Sequence, residues 1–370
     1  MPPASGRRIN PDDYAEMRYG SPLPDLTLSM TLTELSDYAY DCDYVAPDSP
    51  EPDYRYVVKL VLRATLSFRD GHTPAIRQAL RACFDDYFAA FGKGLQWGWD
   101  PQPTGGKPTP WYFDERLIEV TREAFADVKE DDGMVLGFMS GLNPDYIGDY
   151  GIKCLTVPDW EQAMGDDGSY LSFWVACDTV QNGQWDGGKF PLHDFLLTCC
   201  NRLNATHGYA GFALALPHEF ARWEPYELKL AQRYYGLEID KTVATALMTE
   251  GWKGIKGVNW YTVLGGHYVE KLGGNQAIRS HLTDPAFRFY DFAGGGLLIR
   301  AGDGPEMGPV AHGAPPLYVA VNQVVRDVRT TVIRSMGFGS NAGELRFNRH
   351  LTDLWLRRFD APGIWPPHQP

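Results

Sequence analysis

The longest regular pattern in the chain begins at Tyr56. Tyr56, Val58, Leu60, Leu62, Ala64, Leu66 and Phe68 alternate with Lys59, Arg63, Thr65, Ser67 and Arg69, and a period of two sends successive side chains to opposite faces of a strand. This predicts a long strand with one buried face. A turn follows at Gly71-His72-Thr73-Pro74, where Thr73 can cap a helix and Pro74 suits the first turn, whose N–H would be unpaired anyway. Ile76, Leu80, Cys83, Phe84, Tyr87, Phe88 and Phe91 then recur at the spacing of one helical face. A strand leading into an amphipathic helix is the unit of an α/β layer.

The same reasoning predicts strands at residues 134–139, 152–157, 171–178, 209–216, 260–264, 287–292 and 297–300. It predicts helices at 113–128, 192–203, 225–235, 317–328 and 347–359, with Gly236 ending the third of these. Residues 101–110 read as a Pro/Gly-rich loop, and Gly294-Gly295-Gly296 as a hairpin turn between two strands. The expected fold is α/β (α+β): mixed β-sheet layers with amphipathic helices packed on the faces. The order strand, helix, strand occurs near 56–139 and again near 171–216, which suggests two related α/β halves. Residues 1–54 lack this periodicity and read as an acidic, Pro/Tyr-rich N-terminal arm. Residues 55–360 form the α/β domain, with a subdivision near 180–190, and 361–370 a C-terminal tail.

Composition narrows the function classes. A hydrophobic share of 44% with 22% charged residues is that of a packed globular protein. The 47 acidic against 34 basic side chains give a net charge of −13, which argues against non-specific nucleic-acid binding, since phosphate needs cationic surface. The excess is not spread evenly. Residues 1–190 hold 31 acidic and 16 basic side chains, residues 191–370 hold 16 and 18. Arg7 and Arg8 have no apolar run behind them, and no uninterrupted apolar stretch reaches membrane-spanning length, so a cytoplasmic, soluble protein is expected. The six cysteines, Cys42, Cys83, Cys154, Cys177, Cys199 and Cys200, form no Cys-x-x-Cys pair and read as reduced thiols.

Within the acidic half, Asp37, Tyr38, Tyr40, Asp41, Asp43 and Tyr44 interleave carboxylates with tyrosines. Tyrosines supply buried anchor area at low entropic cost, and carboxylates steer a cationic partner. Glu130, Asp131, Asp132, Asp166 and Asp167 extend such a surface if the fold gathers them. These residues are the candidate partner-binding site, and the expected partner is a protein with a basic surface.

The chain carries few signs of catalytic chemistry. His218-Glu219 opens like a zincin motif, but Arg222 stands where the second histidine belongs; His267 and His281 are too far apart for one helical face. No Gly-x-Ser-x-Gly elbow occurs, and Gly105-Gly106-Lys107 runs into Pro108 rather than a helix. Paired acids such as Asp85-Asp86 read as solvated surface. No catalytic residue, metal or cofactor is expected.

Three strings carry a resemblance: Leu66-Ser-Phe-Arg-Asp-Gly-His-Thr-Pro74 into Tyr87-Phe-Ala-Ala-Phe-Gly92 and Leu95-Gln-Trp-Gly-Trp99; Tyr234-Tyr-Gly-Leu-Glu-Ile239 with Gly254-Ile-Lys-Gly-Val-Asn-Trp-Tyr-Thr-Val-Leu-Gly265; and Pro315-Pro-Leu-Tyr318. Over residues 55–360 the chain resembles a bacterial family of type VI secretion immunity proteins, formerly a domain of unknown function. The resemblance implies that the protein binds and neutralises a cognate toxin, in some cases a nuclease of the VRR type, without turnover. It transfers a role and no catalytic residue. An acidic, aromatic-rich inhibitor would suit a nuclease whose cleft is cationic. Two readings from other classes stand beside it: a hydrolase or transferase using His218, Glu219 and Trp223, and a structural subunit of a larger assembly.

Overall fold

The computed structural model describes residues 59–99, 110–127, 131–144, 146–165, 168–177, 191–216, 220–249, 253–337 and 346–367. One sheet of ten strands runs through the molecule: β1 (Lys59–Ser67), β2 (Trp97–Trp99), β3 (Pro110–Tyr112), β4 (Met134–Met139), β5 (Gly151–Thr156), β6 (Tyr170–Ala176), β7 (His207–Ala215), β8 (Tyr261–Leu264), β9 (Phe287–Phe292) and β10 (Gly296–Ala301). Their order is β3-β2-β4-β5-β6-β1-β7-β8-β10-β9. Neighbouring strands pair antiparallel, and β6 and β7, on either side of β1, therefore run parallel to each other. The helices are α1 (Pro74–Phe91), α2 (Glu115–Asp127), α3 (Asp159–Ala163), α4 (Leu192–Leu203), α5 (Phe220–Ala231), α6 (Thr242–Thr249), α7 (Gly266–Lys271), α8 (Asn275–His281), α9 (Pro316–Val325) and α10 (Arg349–Leu356). The fold is thus an α+β sheet with helices packed on its faces.

The parity read from the sequence of β1 sets the two faces. Leu60, Leu62, Ala64, Leu66 and Phe68 point to the first face and join the main core, as do Leu171, Phe173 and Val175 of β6 and Ile152 and Cys154 of β5. Helices α1, α2 and α4 cover them. Thr73 caps α1, its hydroxyl accepting the Ile76 N–H, and Pro74 takes the first helical position. The helix then lays Leu80, Cys83, Phe84, Tyr87 and Phe91 on the sheet. Phe84 meets Phe138 edge to face at 5.8 Å, and Phe195 of α4 meets Phe173 at 4.8 Å. Each such buried side chain is worth about 1.5–3 kcal/mol over its exposed state. The five described cysteines are all buried.

Several predicted bounds hold: β4, β9 and α4 occupy residues 134–139, 287–292 and 192–203. The triple glycine turns the β9–β10 hairpin, with Gly294 at φ 67° and Gly295 at φ 76°, a region open to glycine at little cost. The helix expected at 225–235 lies instead at Phe220–Ala231, with Pro225 inside it. Gly236 does not cap that helix. Its N–H donates to the Met307 carbonyl at 2.8 Å, and a Cβ there would overlap the Glu306 carbonyl oxygen. Strands β2 and β3, three residues each, were not expected.

Candidate functional site

On the second face the same strands present polar side chains. Asp240, in the segment between α5 and α6, lies over β1, β6 and β7 with its side chain fully buried. The Arg63 guanidinium sits 3.3 Å from its Oδ2, and the hydroxyls of Tyr209, Thr65 and Ser172 lie 2.7, 3.0 and 3.3 Å from its oxygens. Burial alone would raise the Asp240 pKa. The charges of Arg63, Lys153 and Lys256 and the Tyr209 hydrogen bond outweigh it and hold the carboxyl at about 2.

A second cluster adjoins it. The Glu238 carboxylate takes the Lys256 ammonium at 2.7 Å on one oxygen, and the Asn259 amide at 2.9 Å and the Arg358 guanidinium at 3.6 Å on the other. Lys256 also donates to the Ile239 carbonyl and lies 4.4 Å from the Tyr209 ring centre. Arg358 stacks on Trp355 of α10 at 3.5 Å and donates to the Tyr235 carbonyl; burial lowers its pKa to about 10 despite Glu238. Asn259 fits because residue 211 of β7 is glycine, where a Cβ would strike its amide. His207 is held neutral, since burial takes its pKa to about 3; its Nε2 accepts the Lys256 N–H, so Nδ1 donates to the Val263 carbonyl. Further out, Lys241 pairs with Glu224 and Glu227, and Arg346 with Glu224. These pairs tie the segment before α6 and the C-terminal segment to α5.

Beside this network the second face opens into a groove of about 240 Å³. Arg63, Lys153 and Trp174 form its floor, and Trp97, Trp99, Met139, the 146–148 loop and residues 241–243 line its sides. Local sequence explains the floor. Gly151 of β5 lies opposite Trp174 of β6, and a Cβ at 151 would overlap the indole, so the glycine lets the ring lie across the strand. Arg63 packs 4.8 Å from the Trp174 ring centre. From the first face, the Tyr87 hydroxyl donates to the Trp174 carbonyl at 2.7 Å and accepts the Gly151 N–H at 2.9 Å, which fixes this pair. Lys153 stands on the same face between Gly137 and Ser172. Burial lowers its ammonium pKa to about 8, against the opposing pull of Asp240.

Of the partner-binding residues expected from sequence, Asp37, Tyr38, Tyr40, Asp41, Asp43, Tyr44, Glu130, Asp166 and Asp167 lie outside the described residues. So do His218 and Glu219. Asp131 is exposed and Asp132 half-buried, just before β4 and at the far end of that strand from the 146–148 loop. The Asp132 carbonyl accepts the Arg77 guanidinium at 2.7 Å. The groove gathers instead Arg63, Lys153, Trp174 and Asp240, none of them singled out from sequence. Among the described residues no group of three or more His, Cys, Asp or Glu could hold a metal ion. No helix among them is long and apolar enough to cross a membrane.

The model of a family described as type VI immunity for VRR-NUC, named TsiV, matches residues 79–359. The chain belongs to the TsiV family. The Pseudomonas aeruginosa T6SS protein PA0821 has a similar solved structure. It aligns with TM-score 0.74 and 30% identity over 83% of this chain and 84% of that one. No curated protein matches the sequence. This TsiV chain is accordingly a type VI immunity protein whose family answers VRR-NUC effectors, as the resemblance implied.

Proposed function

We propose that this TsiV protein neutralises its cognate VRR-NUC toxin by direct, stoichiometric binding without turnover. The family match over residues 79–359 carries the reading. The charge supports it: with a net charge of −13 the chain attracts a basic partner at long range and repels nucleic acid. The toxin is therefore expected to present basic surface, and the tyrosine-carboxylate segment at residues 37–44 is the proposed steering element.

Co-expression of the protein with the toxin encoded beside it tests the role. Protection of the cells and a stable complex of fixed stoichiometry are expected; a pair that neither binds nor protects would end the proposal. Charge reversal of Asp37, Asp41 and Asp43 together should slow association about 10-fold at low salt and flatten its salt dependence, with little change in dissociation. An unchanged association rate would place the steering surface elsewhere.

A further inference from the structure

We propose that the second-face groove is a receptor for a toxin loop that presents one carboxylate flanked by apolar side chains, and that Lys153 recognises the carboxylate. The proposal deepens the function above and rests on it. Four observations lead here.

The first is an imbalance among the cations. Arg63 has Asp240, Lys241 has Glu224 and Glu227, and Lys256 and Arg358 share Glu238. Lys153 has no carboxylate at ion-pair distance among the described residues, and its ammonium lies 5.9 Å from the Tyr170 ring centre. A burial-depressed ammonium is a cost to folding, and an incoming anion would relieve it.

The second is the space beside the base of the Lys153 side chain. Gly137, its cross-strand neighbour on β4, has no Cβ; one placed there would come within 3.0 Å of Trp99 and 3.3 Å of the Lys153 Cβ. Third, the surroundings suit apolar neighbours of a carboxylate. Trp97, Trp99 and Trp174 line the groove, with Val135 of β4 exposed at 44% and Val243 of α6 at 45%. The Trp97 indole N–H also lacks an acceptor among the described residues. Fourth, about 240 Å³ is below the roughly 300–1,000 Å³ usual for small-molecule and cofactor sites, and fits one or two inserted side chains.

A basic toxin and a carboxylate-reading groove are compatible. Net charge acts over about a Debye length and sets the encounter rate, whereas a desolvated pair acts at contact and sets dissociation.

The test is calorimetric titration of the full-length protein with the purified toxin encoded beside its gene. Lys153→Met should weaken binding by about 30-fold or more, and Lys153→Glu further still. Lys153→Met should unfold at the same or a higher temperature than wild type, which separates lost recognition from lost fold. Wild-type affinity should also fall as pH rises past about 8, and that of Lys153→Met should not. The groups facing Lys153 are Arg63, Ser172, Trp174, Tyr170, Asp240, Lys241 and Glu227; Asp240 at about 2 and Tyr170 at about 12 stay in one form through that range. Wild-type binding with both variants within two-fold of it would overturn the groove proposal alone. No binding by wild type would overturn the function it rests on as well.

Discussion

The two faces of the central sheet are made by the same strands and held together by different physics. On the first face Leu62, Ala64, Leu66, Leu171, Phe173 and Val175 meet Phe84, Tyr87 and Phe195, and stability comes from apolar area removed from water. On the second face, one residue along each strand, Arg63, Thr65, Ser172 and Tyr209 surround Asp240, with Glu238, Lys256 and Arg358 beside them. There stability depends on every charge having its partner, because an uncompensated buried charge costs far more than a missing methyl group. A folding core can be uniform. A recognition face has to carry chemistry, and on this one Lys153 is left short of a counter-charge.

The contrast is open to attack in order of size. Glu238→Ala strands Lys256 and Arg358 in the interior and should cost about 3–5 kcal/mol in urea unfolding; adding Lys256→Met should recover part of that loss. If Glu238→Ala cost under about 1 kcal/mol, the second face would not be held by pairing. On the first face Leu171→Ala should cost about 3 kcal/mol through the cavity it leaves, and leave the toxin affinity of the folded protein unchanged. An affinity loss as large as that of Lys153→Met would erase the division of labour between the faces. Asp240 gives a pH signature of the second face. Its folded pKa of about 2 lies below its ordinary 3.8, so its contribution, about 2 kcal/mol, is complete above about pH 4 and lost as pH falls through about 2. Asp240→Asn should remove that acid step from the stability–pH curve, whereas Leu171→Ala should keep it. Persistence of the step in Asp240→Asn would assign it to other carboxylates.

How much of this was legible follows from the range of the signals. Alternation over Tyr56 to Phe68 and the helical spacing after Pro74 were visible because they repeat several times within a short window, and α4 and β4 were visible for the same reason. Strands β2 and β3, at three residues each, are too short to show a period. The helix predicted at 225–235 starts at Phe220, with Pro225 in its second turn, where a proline does not mark the start. Gly236 looked like a C-cap, yet its role is close approach to the backbone of residues 306 and 307, a contact no local pattern records. The groove was illegible for a similar reason. Arg63, Lys153 and Asp240 are some 90 residues apart, and each reads locally as an ordinary polar position. Antiparallel register brings them together. The function was legible through strings such as Leu95-Gln-Trp-Gly-Trp99, both of whose tryptophans line the groove.

Hydrogen–deuterium exchange, on the free protein and on its complex with the cognate toxin, tests the central claim most directly, because it compares the two faces in one experiment. Binding should add protection in the 146–148 loop, in the segment from Asp240 into α6 and at the start of β5, and leave α1, α2 and α4 unchanged. Protection that instead appears over α1, α2 and α4, with the groove segments exchanging as in the free protein, would contradict the account.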